Sequence, residues 1–212
     1  LTLGDFPVCD YTGDVAPACV LFWGHNPVLS GPDGETRFNV IEALDRNPKI
    51  VVVDPRRTML AERADLWLQI RPGADDALAL AMLNVIIAER LYDEPFVTQW
   101  THGFDALTAN VRKYTPEWAE PITWIAADKI RAAARLFAQS KPAMLEWGCA
   151  IEHTPKCVQT VRAVSMLPVL TGNIDVPGGW VFGMHGLGRF PSLIENLTPD
   201  ASAKRLGADQ FK

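Results

Sequence analysis

Three short apolar runs in the first third of the chain each end abruptly in a polar loop marked by glycine or proline. They are Val20–Trp23, Ile50–Val53 and Leu66–Ile70. Each run is too short for a helix and rich in β-branched or aromatic residues, which predicts β-strands. Their near-continuous apolar character, most complete in the second run, is typical of a parallel sheet covered on both faces. A fourth such run, Ala143–Trp147, comes much later in the chain.

Longer segments with helical spacing lie between and after these runs. In Glu35–Arg46, the residues Phe38, Ile41 and Leu44 share helical spacing, which predicts a βαβ unit with a right-handed crossover. A further helix is predicted after the third strand, with Asp75 and Asp76 in its first turn. Other helices are predicted at Glu94–Trp100 with Asp93 as its cap, at Asp105–Lys113, at Pro116–Glu120, at residues 123–140 with Ile125, Ile130, Ala134 and Phe137 inward, and at residues 156–172 with a left-handed cap at Gly172 or Asn173. Cys149–Thr154 is predicted to be a loop. This order of elements predicts an α/β fold with a mostly parallel sheet.

The two ends of the chain lack such periodicity. Residues 1–19 carry Gly, Pro and Asp without a clear repeat, which predicts an irregular lead-in. Residues 181–212 are rich in Gly, Pro and polar side chains, which predicts a linker or an arm that another part of the protein orders. Because the first residue is Leu1 rather than Met, we expect the chain to be an excised fragment or a processed product.

Composition and charge narrow the classes of function. The 212 residues carry a net charge of −5, which argues against nonspecific nucleic-acid binding because that needs a basic surface. No apolar run is long enough to cross a bilayer, and the N-terminus lacks the layout of a signal peptide. The four cysteines, Cys9, Cys19, Cys149 and Cys157, form no C-x-x-C pair, which predicts free thiols in a reducing compartment, with a disulfide as the alternative.

The loops that leave the predicted strands are the first candidates for a ligand site. Parallel sheets bind ligands beyond the carboxyl ends of their strands, at a topological switch point, which singles out Gly24–Ser30 and Asp54–Thr58. Asp54 either accepts hydrogen bonds from ribose hydroxyls or caps a turn, since "DPRRT" also favours a turn. Arg56 and Arg57 either clamp a phosphate or are solvated surface charges.

The residue types in these loops restrict the ligand. Gly24–Ser30 lacks the G-x-G-x-x-G pattern, which argues against an ordinary nicotinamide site, and offers His25, Asn26 and Ser30 instead. The pair Asn26-Pro27 also favours a simple turn. Asp75 follows a strand end, where its carboxylate could pair with the two adjacent donors of guanine or could only cap a helix.

Acid–base chemistry has one weak candidate. Glu152 and His153 follow the fourth strand, but nothing else in the chain completes a catalytic triad. The four histidines are scattered and do not form a metal-ligand pattern. We therefore predict no catalytic residue and no metal ligand in this chain.

Five stretches, taken together, resemble a known family. They are "LFWGHNP", "VVVDPRRT", "AERADLWLQIRPGADDALALAMLNVIIAERLYDEPFV", "GFDAL" and "LTGNIDVPGG", and they run from about Val20 to Gly179. In order and spacing they are similar to the molybdopterin oxidoreductases of the dimethyl sulfoxide reductase family. The resemblance implies molybdenum or tungsten held by two molybdopterin guanine dinucleotides. It also implies that residues 20–180 form a Rossmann-like, three-layer α/β/α domain that binds the guanosine end of one dinucleotide.

The resemblance assigns roles to the loop residues. It places Trp23, Gly24, His25, Asn26 and Ser30 around the pyrophosphate and neighbouring groups, Asp54, Pro55, Arg56, Arg57 and Thr58 at the ribose and guanosine, and Gly73 and Asp75 at guanine. Trp147 and Gly148 open a loop, Trp147–Ile151, that matches the family's contact with the pterin. Many members have a glutamine in that loop, where this chain has Ile151 and Glu152.

The resemblance also implies partners. The family's iron–sulfur cluster region, the segment that supplies a Ser, Cys, selenocysteine or Asp ligand to the metal, and the barrel domain that closes over the cofactors have no counterpart in this sequence. We therefore expect the isolated chain to be inactive and to associate with those other domains, and with an electron-transfer subunit, in a prokaryotic cytoplasm or periplasm. The alternatives are a self-contained nucleotide-binding module and an α/β scaffold that acts through protein contacts.

Overall fold

A computed structural model describes Leu3 and residues 7–30, 35–182 and 198–204. The chain divides into two compact units, Leu1–Val181 and Phe182–Lys212. The strands are β1 Val8–Cys9, β2 Cys19–Trp23, β3 Lys49–Val53, β4 Leu66–Leu68, β5 Ala143–Trp147 and β6 Trp180–Val181. The helices of the first unit are α1 Pro27–Ser30, α2 Glu35–Asp45, α3 Met59–Arg63, α4 Asp75–Ala88, α5 Glu94–Trp100, α6 Phe104–Val111, α7 Pro116–Thr123, α8 Ala127–Gln139, α9 Cys149–Glu152 and α10 Cys157–Leu170.

The second unit is described at Phe182 and at residues 198–204. Pro199–Ala203 form the short helix α11, and the Thr198 side chain caps it by accepting a hydrogen bond from the backbone N–H of Ala201. The rest of the predicted arm, residues 183–197 and 205–212, lies outside the described residues.

The main sheet, as far as the chain is described, has the strand order β4-β3-β2-β5 and is parallel throughout. The chain builds β2, β3 and β4 toward one side and then returns to place β5 on the other side of β2. The topological switch point therefore lies between β2 and β5. Trp23 pairs with Val53 and with Trp147, and Val53 pairs with Leu68, so the carboxyl ends of the strands are level.

Helices cover both faces of this sheet. Val40, Ala43 and Leu44 of α2 pack in one buried cluster with Val20 and Phe22 of β2 and with residues of β3 and β5. Side chains alternate across a strand, so Leu21 and Trp23 face the opposite layer, where α8 contacts β2 and β4 and α10 contacts β5. The α/β fold with a mostly parallel sheet is confirmed.

The structure differs from the sequence predictions at several local positions and in the predicted lead-in. The helix predicted at residues 123–140 covers only Ala127–Gln139. Phe38 is 71% exposed, because the buried side of α2 carries Val40, Ala43 and Leu44 instead. The third strand ends at Leu68, two residues early. Residues 149–152 form a helical turn rather than a loop, and α7 continues past Glu120 to Thr123.

A further difference lies in the predicted irregular lead-in. Val8 pairs antiparallel with Val181, and Cys9 with Trp180, so β1 and β6 form a small two-stranded sheet. The Asp10 carboxylate also accepts a hydrogen bond from the backbone N–H of Gly178 at 2.8 Å. Two-residue strands carry no periodicity, and their pairing spans most of the chain, so local sequence patterns do not predict them.

Other local predictions are confirmed. The Asp93 carboxylate caps α5 by accepting a hydrogen bond from the Phe96 backbone N–H at 3.0 Å. Gly172 has φ +65° directly after α10 and its cap residue Thr171, as expected for a left-handed helix end. All four cysteines are free thiols, with Cys19 buried and Cys149 exposed.

Candidate functional site

The loops that follow β2, β3, β4 and β5 meet along one edge of the sheet. The backbone N–H of Gly24 donates to the carbonyl of Val53 at 2.8 Å, and that of Asp54 donates to the carbonyl of Leu68 at 3.3 Å. On the other side, the N–H of Gly148 donates to the carbonyl of Trp23 at 3.0 Å. The structure thus brings the predicted loops 24–30, 54–58 and 147–151 together, as the parallel register requires.

The β2 and β5 loops touch at two glycines. Gly24 has φ +57°, a conformation that favours glycine. A Cβ atom on Gly148 would lie 2.4 Å from the carbonyl oxygen of Gly24 and 3.1 Å from the Cα of His25. Only glycine at position 148 allows this approach, so the backbones of the β2 and β5 loops are in contact at the switch point.

Asp75 joins the same edge through its side chain. It is the first residue of α4, it is 9% exposed, and its Oδ1 accepts a hydrogen bond from the indole N–H of Trp23 at 2.8 Å. The N-cap position of α4 belongs to Ala74, so Asp75 is not the N-cap residue of this helix. Gly73, with φ +80°, forms the turn that leads into this helix.

Burial and hydrogen bonding act in opposite directions on the Asp75 carboxyl. Burial raises its pKa above the ordinary value, and the charge of the adjacent Asp76 acts in the same direction. The hydrogen bond from Trp23 and the backbone N–H of Asp75 itself lower the pKa. Asp75 is therefore a buried acid whose charge depends on the donors around it.

The loop after β3 combines a structural turn with exposed cations. The buried Asp54 accepts a hydrogen bond from the backbone N–H of Arg56 at 2.7 Å, which is the turn role that the sequence left open. Thr58 caps α3 through the N–H of Ala61. The side chains of Arg56 and Arg57 are 76% and 68% exposed, and their nearest carboxylates are 3.8 and 3.9 Å away, so both guanidinium groups are accessible beside Pro55.

The loop after β2 holds buried polar atoms with unused hydrogen-bonding capacity. The backbone carbonyl of Asn26 accepts hydrogen bonds from Leu29 and Ser30 and so starts α1, consistent with the turn that Asn26-Pro27 favours. The Asn26 Oδ1 and the His25 Nδ1 are buried and have no hydrogen-bond partner within the described part of the chain. His25 Nδ1 lies 3.4 Å from Glu146 Oε1, an ion-pair distance without hydrogen-bond geometry.

A cavity of about 350 Å³ lies beside the β5 loop, and sequence reasoning missed it. Its lining includes Cys9, Tyr11, Glu146, Trp147, Glu152 and Trp180. Glu146 accepts a hydrogen bond from the hydroxyl of Tyr11. The one available signal was a glutamate inside the otherwise apolar run Ala143–Trp147.

Within the described residues, no hydrogen bond or ion pair joins the side chains of Glu152 and His153. Glu152 Oε1 accepts a hydrogen bond from the indole N–H of Trp147 at 2.7 Å, which ties the carboxylate to the loop. In the described residues, no cluster of three or more His, Cys, Asp or Glu side chains is placed to hold a metal ion. None of the helices in the described segments is long and apolar enough to cross a membrane.

A family model described as molybdopterin oxidoreductase matches residues 14–209. The chain belongs to this family. It is 40% identical over 198 residues to the acetylene hydratase of Syntrophotalea acetylenica, an alignment that covers 91% of this chain and 27% of that protein. It is 40% identical over 167 residues to formate dehydrogenase H of Escherichia coli, covering 79% of this chain and 23% of that protein.

A solved structure supports the same relationship. Acetylene hydratase from Pelobacter acetylenicus superposes with a TM-score of 0.77 at 36% identity, over 85% of this chain and 24% of that one. The resemblance to the dimethyl sulfoxide reductase family is thereby confirmed, since this molybdopterin family also includes a probable dimethyl sulfoxide reductase chain, YnfF of Escherichia coli, at 38% identity. The chain spans about a quarter of the length of the curated relatives it matches.

The residues at the sheet edge fit the molybdopterin cofactor that this family carries with molybdenum or tungsten. Gly24 and Gly148 let the β2 and β5 loops approach each other closely. Asn26 and His25 offer buried atoms with unused hydrogen-bonding capacity, and Arg56 and Arg57 offer accessible positive charge. The exposed guanidinium groups and the buried polar atoms together suit an anionic ligand that also forms hydrogen bonds.

Proposed function

We propose that this chain is the domain of a molybdenum- or tungsten-dependent oxidoreductase that holds the guanosine end of one of two molybdopterin guanine dinucleotides. The parent enzyme would contain the metal ligand and an iron–sulfur cluster in segments other than this one. This chain would then bind and orient the cofactor without catalysing a reaction by itself.

One observation carries the proposal: a buried aspartate, Asp75, lies at the carboxyl edge of the parallel sheet. Guanine presents two adjacent donors, N1–H and N2–H, and an ionised carboxylate presents two acceptors at matching spacing. The start of α4 places the positive end of a 14-residue helix next to this carboxylate, which favours its charged form. The chemistry, the burial and the location of Asp75 therefore support a role as the residue that binds guanine.

The other loops supply the remaining contacts of a dinucleotide. Arg56 and Arg57 would attract phosphate oxygens, and the buried His25 Nδ1 would donate to the pyrophosphate when it carries the ring hydrogen. The buried Asn26 Oδ1 is an acceptor and would take a hydrogen bond from a donor group of the ligand. Asp54 keeps one carboxylate oxygen, Oδ2, outside its turn hydrogen bond and would accept from a ribose hydroxyl. Trp147 and Gly148 would border the pterin. When bound, the metal supplies the reactive centre, and the residues of this chain fix where the nucleotide tail lies.

The relatives differ in the activities that their names state, since they include a hydratase, formate dehydrogenases and dimethyl sulfoxide reductase chains. A cofactor-binding role is what such proteins would share through this region. The choice of substrate would then depend on the rest of the parent protein.

The test is an Asp75→Asn substitution in the whole protein that contains this chain. Asparagine keeps the size of the side chain but turns one acceptor into a donor, which faces a donor of guanine. We expect the purified variant to lose at least half of its metal and of its releasable GMP relative to wild type, as measured by mass spectrometry and by chromatography after acid hydrolysis.

Asp76→Asn is the matched control, because Asp76 lies one residue away, its carboxylate accepts from the Ala77 N–H, and it pairs with Lys156 at 3.4 Å. That variant should keep its full metal and GMP content. Equal cofactor content in the Asp75→Asn protein and the wild type would refute the assignment of Asp75 to guanine.

A further inference from the structure

Trp23 occupies an unusual position for a residue next to a ligand site. It is the last residue of β2 and is fully buried, so its indole ring has no surface to offer a ligand. The ring N–H is directed at Asp75 Oδ1, which it reaches at 2.8 Å across 52 residues of sequence. The side chain of Trp23 therefore acts on Asp75.

We propose that Trp23 is a positioning residue that sets the selectivity for guanine, by holding the Asp75 carboxylate in the one orientation that meets both guanine donors. This inference rests on the proposed function, because it presumes that Asp75 binds guanine. It adds the role of Trp23 to the proposed function. It also adds a property of the site, which is discrimination between guanine and a base that lacks the 2-amino group.

The orientation of a carboxylate needs such a constraint. The terminal torsion of aspartate is a broad, two-fold rotation, so the plane of the carboxylate is not fixed by its own rotamer. A hydrogen bond from a rigid donor to Oδ1 fixes that plane and leaves lone pairs on both oxygens. With one oxygen held, the two acceptors lie in a defined direction, and a bidentate contact becomes selective.

Trp23 itself is rigidly held. Its backbone pairs with Val53 on one side and with Trp147 on the other, and its carbonyl accepts the N–H of Gly148. A donor that is anchored in the centre of a sheet cannot follow the carboxylate if the latter turns. Asp75 must therefore adapt to Trp23.

The same contact influences the charge of the site. The groups around the Asp75 carboxylate are the indole N–H of Trp23, the backbone N–H of Asp75 at the start of α4, and the negative Asp76, whose charge is partly offset by Lys156. Burial and Asp76 raise the pKa of Asp75, and the Trp23 N–H lowers it. Without the indole N–H, the carboxyl should hold its proton up to a higher pH, and a protonated carboxyl cannot accept from both guanine donors.

The experiment uses the whole protein purified from a host that cannot make the cofactor, titrated with GDP and with IDP by calorimetry. IDP differs from GDP only in lacking the 2-amino group. Loss of one hydrogen bond to a charged acceptor should make wild type prefer GDP by about tenfold or more. Trp23→Phe, which removes the N–H but keeps a buried aromatic ring, should lower that preference to below about threefold and shift the loss of GDP binding on acidification to a higher pH.

Two further proteins control for damage to the fold. Benzothienylalanine at position 23 keeps the shape of the indole and replaces the N–H by sulfur, so it should reproduce the loss of selectivity without a cavity. Trp180→Phe removes an equally buried indole whose N–H donates to the carbonyl of Leu145 at 2.7 Å. The GDP preference of that variant should equal that of wild type.

The outcomes separate this inference from the proposed function. If wild type prefers GDP, Asp75→Asn abolishes the preference, and both position-23 variants retain it at an unshifted pH profile, then Asp75 binds guanine and the role of Trp23 is refuted. If wild type binds GDP and IDP equally, or binds neither, the inference fails. In that case, normal cofactor content in Asp75→Asn would refute the proposed function as well, and reduced content would leave it standing.

Discussion

The hydroxyl of Tyr11 donates a hydrogen bond to the carboxylate of Glu146, across 135 residues of sequence. Tyr11 is 7% exposed and lies in the segment that leads from β1 to β2, whereas Glu146 lies next to the end of β5. The pair ties the N-terminal segment to the central sheet, on the side of the switch point where His25 also approaches Glu146. It therefore supports the loop that carries His25 and Asn26.

Replacing Tyr11 by phenylalanine should destabilise the protein. The substitution leaves the largely buried Glu146 carboxylate without its donor, at a cost of about 1–3 kcal/mol in the free energy of unfolding. Urea denaturation of wild type and variant measures the difference. Tyr92→Phe is a suitable control, because Tyr92 contributes its ring to a contact with Phe104 and that ring is kept. A Tyr11→Phe protein with an unchanged midpoint and slope would show that the hydrogen bond contributes nothing net.

The buried charge of Asp75 should make stability depend on pH in a defined direction. Burial raises the pKa of Asp75 in the folded state above its ordinary value of 3.8, so the folded protein binds this proton more tightly than the unfolded chain. The contribution of Asp75 to stability therefore decreases as pH rises from 3.8 through the folded-state pKa, and then stays low.

In Asp75→Asn this contribution is absent, while the amide oxygen can still accept the Trp23 N–H. The free energy of unfolding of the cofactor-free variant, relative to wild type, should thus increase with pH over that window and reach a plateau. Denaturation curves at several pH values test this expectation. A difference that is flat or that falls with pH would mean that the carboxylate is not destabilised by its burial.

The sheet and the outline of the site could be predicted from the sequence because both depend on local patterns. Short apolar runs identified the strands of the parallel sheet, and parallel strands place their carboxyl ends at one edge. The loops 24–30 and 54–58 followed from that rule, whereas the loop 147–151 was implied by the family resemblance. The hydrogen bond between Trp23 and Asp75 could not be predicted in this way. It joins a residue of a strand to a residue at the start of a helix, and neither local pattern indicates the contact.

The features that the sequence did not predict depend on pairing between distant residues or on which side of a helix faces the sheet. β1 and β6 are two residues each and are held by one another, so neither has a pattern of its own. Phe38 has the spacing of a buried helical residue but is exposed, because the sheet meets the side of α2 that carries Val40 and Leu44. Periodic spacing predicts that a segment is helical. In α2, however, the buried side carries side chains smaller than Phe38, so the largest apolar residue does not indicate which side is buried.

Gly148→Ala should be destabilising for a steric reason. Gly148 has an ordinary extended backbone, with φ −108° and ψ 174°, so alanine suffers no conformational strain there. Its Cβ would lie 2.4 Å from the Gly24 carbonyl oxygen, and the β2 and β5 loops would have to separate. We expect a loss of about 1–3 kcal/mol in the free energy of unfolding, together with reduced cofactor retention in the whole protein.

Gly103→Ala provides the contrast. Gly103 has φ +83°, and no atom lies within 4 Å of the place that an alanine Cβ would take, so alanine there introduces backbone strain without a clash. It should cost about 1–2 kcal/mol in stability and leave cofactor retention unchanged. Gly148→Ala with normal cofactor content would show that the contact between the two loops does not shape the site.

Arg56 and Arg57 should affect ligand binding far more than stability. Both side chains are largely exposed and their carboxylate contacts are long, so replacing both by alanine should change the free energy of unfolding by no more than about 0.5 kcal/mol. In the cofactor-free whole protein, the double variant should lose most of the advantage of GDP over guanosine, because that advantage comes from the phosphates. Arg90→Ala, which removes an equally exposed arginine paired with Glu94, should keep the advantage. A double variant that still prefers GDP over guanosine as strongly as wild type would assign the phosphates to other donors, such as the buried atoms of His25 and the backbone of its loop.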